Sequence, residues 1–143
     1  MTVVNRTALV LHTAEQMFDL INDVRRYPEF LPWCASTEVI SESDAMLEAT
    51  LNLSKGGLSY SFTTRNELKR PAEMKLSLVD GPFQKLEGVW TFTVLSEEAC
   101  KVELNLNFEF SGKLTGMAMS KVFNTVATSL VDAFVTRADQ IYG

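Results

Sequence analysis

The stretch Lys101-Val102-Glu103-Leu104-Asn105-Leu106-Asn107-Phe108-Glu109-Phe110 decides the fold. Val102, Leu104, Leu106, Phe108 and Phe110 alternate without a break with Lys101, Glu103, Asn105, Asn107 and Glu109. Successive side chains on a strand point to opposite faces, so this period of two predicts a strand with one buried and one wet face. The same rhythm runs upstream. Trp90, Phe92 and Val94 alternate with Thr91 and Thr93, and Met74, Leu76 and Leu78 lead to the turn at Asp80-Gly81-Pro82. Leu47, Ala49, Leu51 and Leu53 pass through Lys55-Gly56-Gly57 into Leu58, Tyr60, Phe62 and Thr64, a hairpin pattern. Pro71 breaks the next connection. Up to six consecutive strands between Ser36 and Ser111, joined by short turns, are best arranged as an antiparallel meander.

Outside this block the period becomes helical. From about Thr115 to Tyr142 two adjacent apolar columns run down one helix: Ala118, Val122, Val126, Leu130 and Phe134, beside Met119, Phe123, Ala127, Val131 and Val135. That stripe is wider than a two-helix seam needs, so the helix is expected to lie in a concave surface that wraps it. Upstream, Val3 to Leu11 is compatible with a strand. Thr13-Ala14-Glu15-Gln16 reads as a capping box opening an amphipathic helix of about three turns, with Met17, Phe18, Leu20, Ile21 and Val24 on one face. Tyr27-Pro28-Glu29-Phe30-Leu31-Pro32-Trp33-Cys34 ends it, because two prolines four apart exclude a regular helix and favour a tight apolar connector. The reading is an α+β chain forming a single domain over residues 1–143, a curved antiparallel sheet against a long C-terminal helix.

Composition narrows the function. Hydrophobic residues at 46% and charged residues at 22% suit a globular domain, and a chain of 143 residues needs no disulfide or metal to hold its core. With 13 Lys+Arg against 18 Asp+Glu the net charge is −5, which gives no basic footprint for nucleic acid; DNA is not an expected partner. Cys34 and Cys100 form no CxxC and read as small buried hydrophobes. Ala8-Leu9-Val10-Leu11 is too short for a signal-peptide core and no apolar run spans a bilayer, so the expected location is cytoplasmic, at most peripheral to the inner face of a membrane.

No catalytic constellation assembles. GxSxG, HExxH, GxGxxG and phosphate-cradling loops are all missing. His12, the only histidine, sits at a strand-to-helix junction with no obvious acid or nucleophile beside it and reads as a surface or junction residue. Asp80 and Glu87 bracket a turn without the shared setting that splits carboxylate pKa values. Arg65 and Glu67 follow an apolar strand and stand either near a cavity or in a cross-strand surface pair. The expectation is no enzyme, no catalytic residue and no metal.

Two segments carry a family resemblance: Tyr27-Pro28-x-Phe30-Leu31-Pro32-Trp33-Cys34, and Gly81-Pro82-Phe83-x-x-Leu86-x-Gly88-x-Trp90-x-Phe92, with Phe62-Thr63-Thr64-Arg65 between them. The sequence resembles the START-like helix-grip superfamily, described as polyketide cyclase/dehydrase and lipid-transport proteins. Within it the chain is similar to the coenzyme Q-binding proteins and their bacterial relatives, the ribosome association toxins. The resemblance implies the order β-α-α-β6-α, with six to seven strands gripping the last helix. It also implies an apolar cavity for a polyprenyl quinone such as ubiquinone, or another isoprenoid lipid, carried in support of respiration without a required cofactor. The bacterial branch implies a second activity, binding the large ribosomal subunit and blocking its association with the small one. A cyclase-type enzyme is the third reading.

A carrier of this kind is expected to line its cavity with Phe30, Leu31, Trp33 and Leu51, with Phe62, Leu76 and Leu78 from the middle strands, and with Trp90, Phe92, Phe108 and Phe110 from the last two. The long helix adds Met117, Phe123, Val126 and Leu130, while Trp33, Tyr60 or Arg65 would meet a quinone head group. The mouth is expected where Gly56-Gly57, Gly81-Pro82-Phe83 and the helix start at Gly116 and Met119 converge, a Met-rich segment suited to an adaptable lid.

Overall fold

The computed structural model describes residues 2–112 and 114–143. Strand β1 (Thr2–Val10) leads into helix α1 (Ala14–Asn22) and a 3₁₀ turn (Val24–Glu29). Six strands follow: β2 (Cys34–Glu42), β3 (Met46–Lys55), β4 (Leu58–Lys69), β5 (Glu73–Asp80), β6 (Phe83–Ser96) and β7 (Ala99–Phe110). Helix α2 (Leu114–Tyr142) closes the chain. The strands form one antiparallel sheet in the order β1-β7-β6-β5-β4-β3-β2, so the meander holds and β1 adds beyond its last strand. This is the START-like helix-grip fold.

The alternation that announced β7 is realised side chain by side chain. Val102, Leu104, Leu106, Phe108 and Phe110 are all buried, as are Leu47, Ala49, Leu51 and Leu53 on β3. Register irregularities interrupt β2 between Val39 and Ser41, β5 at Val79, opposite Thr63 and Thr64, and β6 between Phe83 and Lys85, among others. Such irregularities bend a strand and increase its twist, which gives the sheet a hollow side for α2. Val94 departs from the pattern: it keeps the inward rhythm of β6 and pairs with Cys100, yet it is 64% exposed at the end of the strand, where the register then shifts. Gly88, midway along β6, has no room for a side chain. A Cβ there would come within 2.8 Å of Leu106 Cδ1 and 3.0 Å of the Asn105 carbonyl oxygen.

The N-terminal capping box forms as read, with Gln16 N–H donating to Thr13 Oγ1 and Thr13 N–H donating to Gln16 Oε1. Helix α1 stops at Asn22, short of Val24, which belongs to the 3₁₀ turn. Pro28 sits inside that turn, where its locked φ is tolerated over a few residues. The turn carries Tyr27, whose hydroxyl donates to the Ile21 carbonyl and whose ring packs edge-on against Phe134 of α2 at 5.4 Å between centroids. Phe134 also meets Trp90 at 5.6 Å and Phe30 at 5.6 Å, so it pins helix, turn and sheet together.

Two outcomes follow. Phe134→Ala, which empties a site shared by three aromatic rings, lowers stability by about 3–5 kcal/mol in urea unfolding. Both cysteines are buried, and burial pushes the Cys34 thiol up to about 11. Thiol-reactive dye at about pH 8 therefore labels neither cysteine in the native protein and both in denaturant. The raised Cys34 value favours the folded state below the ordinary thiol pKa of 9.0, and that contribution fades as pH rises from there through about 11.

Candidate functional site

Between α2 and the hollow of the sheet lies a cavity of about 80 Å³. The turn and its sequel supply Val24, Tyr27 and Trp33, while the strands supply Leu51, Phe62, Thr64, Asn66, Leu76, Leu86, Trp90, Leu104 and Leu106. Phe123, Val126, Leu130 and Phe134 of α2 form the roof. The lining is almost wholly apolar. Small-molecule pockets run to roughly 300–1,000 Å³, so the space is several times too small for a polyprenyl tail in this conformation.

The residues expected at a cavity divide. Trp33, Leu51, Phe62, Leu76, Trp90, Phe123, Val126 and Leu130 come together around it. Others are held elsewhere, each for a local reason. Phe30 packs on Tyr27 and Phe134 with the Arg137 guanidinium 4.9 Å above its ring, and Arg137 is fastened by Glu29 at 2.8 Å. Leu31 is buried in the core away from the void, and Leu78 is half-buried beyond it. Phe92 covers Phe18 of α1. Met117 is 72% exposed. Arg65 stands on the wet face and donates to Glu48 at 2.9 and 3.0 Å, so the cross-strand surface pair is the correct alternative, with Glu48 rather than Glu67 as partner.

The segments expected to form a mouth do meet, but as a plug. Tyr60, Phe62, Phe83, Phe108, Phe110 and Phe123 stack at centroid distances of 4.2 to 6.4 Å, and Phe83 is buried rather than poised as a lid. Gly81 packs on Phe62, where an added Cβ would lie 2.8 Å from Phe62 Cβ. The Ser111 amide donates to the Pro82 carbonyl, Gly116 sits under Ser111 and Phe110, and Met119 is half-buried. At the hairpin Gly56-Gly57, a Cβ on Gly56 would lie 3.6 Å from Val122 of α2.

Sequence reasoning missed Val24, Tyr27, Thr64, Asn66, Leu86, Leu104, Leu106 and Phe134 as lining. The signal for several was present. Extending the inward rhythm of Tyr60 and Phe62 reaches Thr64 and then Asn66, while Leu86 is four residues before Trp90. Phe134 and Tyr27 were readable only as core.

Titratable chemistry is sparse around the void. Burial pushes the Tyr27 and Tyr60 hydroxyls far above their ordinary range, so neither becomes a phenolate near neutrality. His12 does find an acid: its Nε2 lies 2.7 Å from Asp139 Oδ1, a residue 127 positions away on α2. The imidazole is buried, and this contact ties the end of α2 to the β1–α1 junction outside the cavity. Among the described residues no group of three or more His, Cys, Asp or Glu is placed to hold a metal ion, and no helix is long and apolar enough to cross a membrane.

Comparison with known proteins places this geometry. The family described as polyketide cyclase / dehydrase and lipid transport matches residues 10–135. The ribosome association toxin RatA of Vibrio cholerae is 52% identical over 143 residues, covering 100% of this chain and 99% of its own. A mitochondrial coenzyme Q-binding protein, COQ10 homolog B of Xenopus laevis, is 30% identical over 90% of this chain and 54% of its own. In structure, the Zhui aromatase/cyclase from Streptomyces sp. R1128 superposes with a TM-score of 0.86 at 16% identity, over 99% of this chain and 96% of that one. The fold is thus shared by proteins named as enzymes and by proteins named for binding or toxicity. The chain belongs to the polyketide cyclase/dehydrase and lipid-transport family of START-like helix-grip proteins, and is a homologue of RatA.

Proposed function

We propose that this protein is a non-enzymatic inhibitor of ribosome assembly, which binds the large ribosomal subunit and keeps the small one from joining. The observation that carries the reading is the 52% identity to a ribosome association toxin over the full length of this chain. The cavity supports it from the other side. At about 80 Å³ it has no room for an isoprenoid tail, which moves ubiquinone carriage, the first expectation from the sequence, into second place. Quinone binding keeps the support of the COQ10 relative and of the apolar lining, and it requires α2 to lift from the sheet. A cyclase is disfavoured because Arg65 points away from the cavity, whose lining holds no carboxylate, histidine, cysteine or cation. The proposed place of action is the cytoplasm.

Charge bears on how a chain of net −5 meets a ribosome. Most of its arginines are already committed: Arg25 to Glu42, Arg65 to Glu48, Arg70 to Asp19 and Arg137 to Glu29. Lys55 and Lys121 have no carboxylate partner among the described residues, and they flank the contact between the Gly56 hairpin and Val122. Lys121 also lines a surface groove of about 520 Å³, together with Gly116, Met117, Ser120, Asn124 and Glu109. This end of the molecule is the contact surface in the proposed reading, since it brings two unpaired lysines to adjoining elements; Arg6, Lys69 and Lys101 are also without a carboxylate partner among the described residues.

Purified protein added to separated subunits should co-sediment with the large subunit in a sucrose gradient and deplete assembled ribosomes; an unchanged ratio of assembled ribosomes to subunits would falsify the reading. Lys55→Glu with Lys121→Glu should weaken that co-sedimentation about tenfold or more while leaving the unfolding midpoint in place. Undiminished binding by the double variant would remove the surface assignment and leave the function standing.

A further inference from the structure

Ten large apolar side chains are exposed among the described residues, and six of them gather at one end of the molecule: Leu9, Leu11, Val94, Leu95, Ile141 and Tyr142. The strand pairings bring them together. Val10 and Val94 both stand opposite Cys100, so the ends of β1 and β6 flank the start of β7. Between Val94 and Ser96, β6 carries one residue more than β7, and that extra residue is Leu95, 53% exposed. A bulge of this kind re-aims side chains. On the other side of β7, Leu9 is 73% exposed, and Leu11, just past the strand, 85%. The next residue, His12, meets both the Tyr142 ring and Asp139, which adds the last turns of α2 to the same end. Apolar residues scattered singly over a surface need no explanation, but a gathered set marks an interaction site.

The charges around this set select its partner. Glu97 and Glu98 form the turn between β6 and β7, and Asp139 contacts His12. Glu15 stands close enough to Cys100 for its charge, after burial, to raise that thiol. Lys101, opposite Leu9, is outnumbered by these acids. Such a rim is repelled by the phosphates of RNA and by an anionic bilayer. A second copy is no better suited, because a two-fold contact sets the acidic rim against itself. What fits is a protein surface with an apolar centre and a basic rim, and proteins that bind RNA are basic because they offset its phosphates. We infer that this end of the chain docks on a basic protein of the large ribosomal subunit. The contact rests on the ribosomal reading above and is separate from the lysine surface, since Lys121 lies about 30 Å along α2 from Ile141 at 1.5 Å per residue. A protein contact at one end and an RNA contact at the other let a chain of net −5 hold the subunit.

Purified large subunits, mixed with the protein and sedimented, test this. Leu11→Ser with Leu95→Ser should weaken co-sedimentation about tenfold or more and leave the unfolding midpoint in place, because both side chains are exposed. Glu97→Lys with Glu98→Lys should weaken it too, whereas an end seated on RNA would bind more tightly after that change. Benzoylphenylalanine in place of Leu95, photolysed on the complex, should cross-link to a ribosomal protein. Full-strength binding by the leucine double variant, unchanged or tighter binding by the glutamate one, or cross-links only to RNA or to a second copy would each overturn the docking assignment and leave the inhibitor reading standing. Wild-type protein that does not co-sediment would remove both. The glutamate variant and the cross-link decide the matter even where the leucine double variant does not fold.

Discussion

One helix inside one curved sheet is the constraint from which the rest follows. Helix α2 carries more apolar surface than a flat contact can cover, so the sheet must bend around it, and the breaks in strand register supply the bend. Bending moves the middle of the sheet away from the helix axis. Something must then fill the gap, and in this chain the filling is aromatic. At one end six rings close over one another; in the centre Phe134, Trp90 and Tyr27 meet edge to face. The cavity is what those rings leave over.

This explains why a fold shared with lipid-transport proteins and aromatase/cyclases gives so small a void here. Cavity volume in such an architecture depends on side-chain bulk at a few inward positions, not on topology. Phe83, Phe110 and Phe123 occupy the place where an opening was expected, and Gly81 and Gly116 let backbone approach them closely instead of leaving a gap. Fold and ligand capacity are therefore separable properties.

Much of the architecture was legible from periodicity alone. The strands of the meander, the capping box and the long helix declared themselves because their signals are local and repeat every two or 3.6 residues. The site was less legible, and the reasons are physical. Whether Phe30 reaches a cavity depends on Arg137 and Glu29 holding it from the other side, a contact between residues about a hundred positions apart. The carboxylate beside His12 comes from the far end of the chain. Volume is the sum of many rotamers, and no pattern in the letters reports it.

The pairing of β1 has a consequence for how the molecule is made. Thr2 lies opposite Phe108 and Val10 opposite Cys100, so the first strand has no partner until nearly the last strand exists. During synthesis β2 to β6 can zip together in order, each against the strand just made, while β1 waits with Val4 and Val10 uncovered. Contacts of such sequence separation close slowly. While the chain is still being made, the sheet is therefore open along one edge and lacks the helix that covers its apolar face, an exposure that favours aggregation.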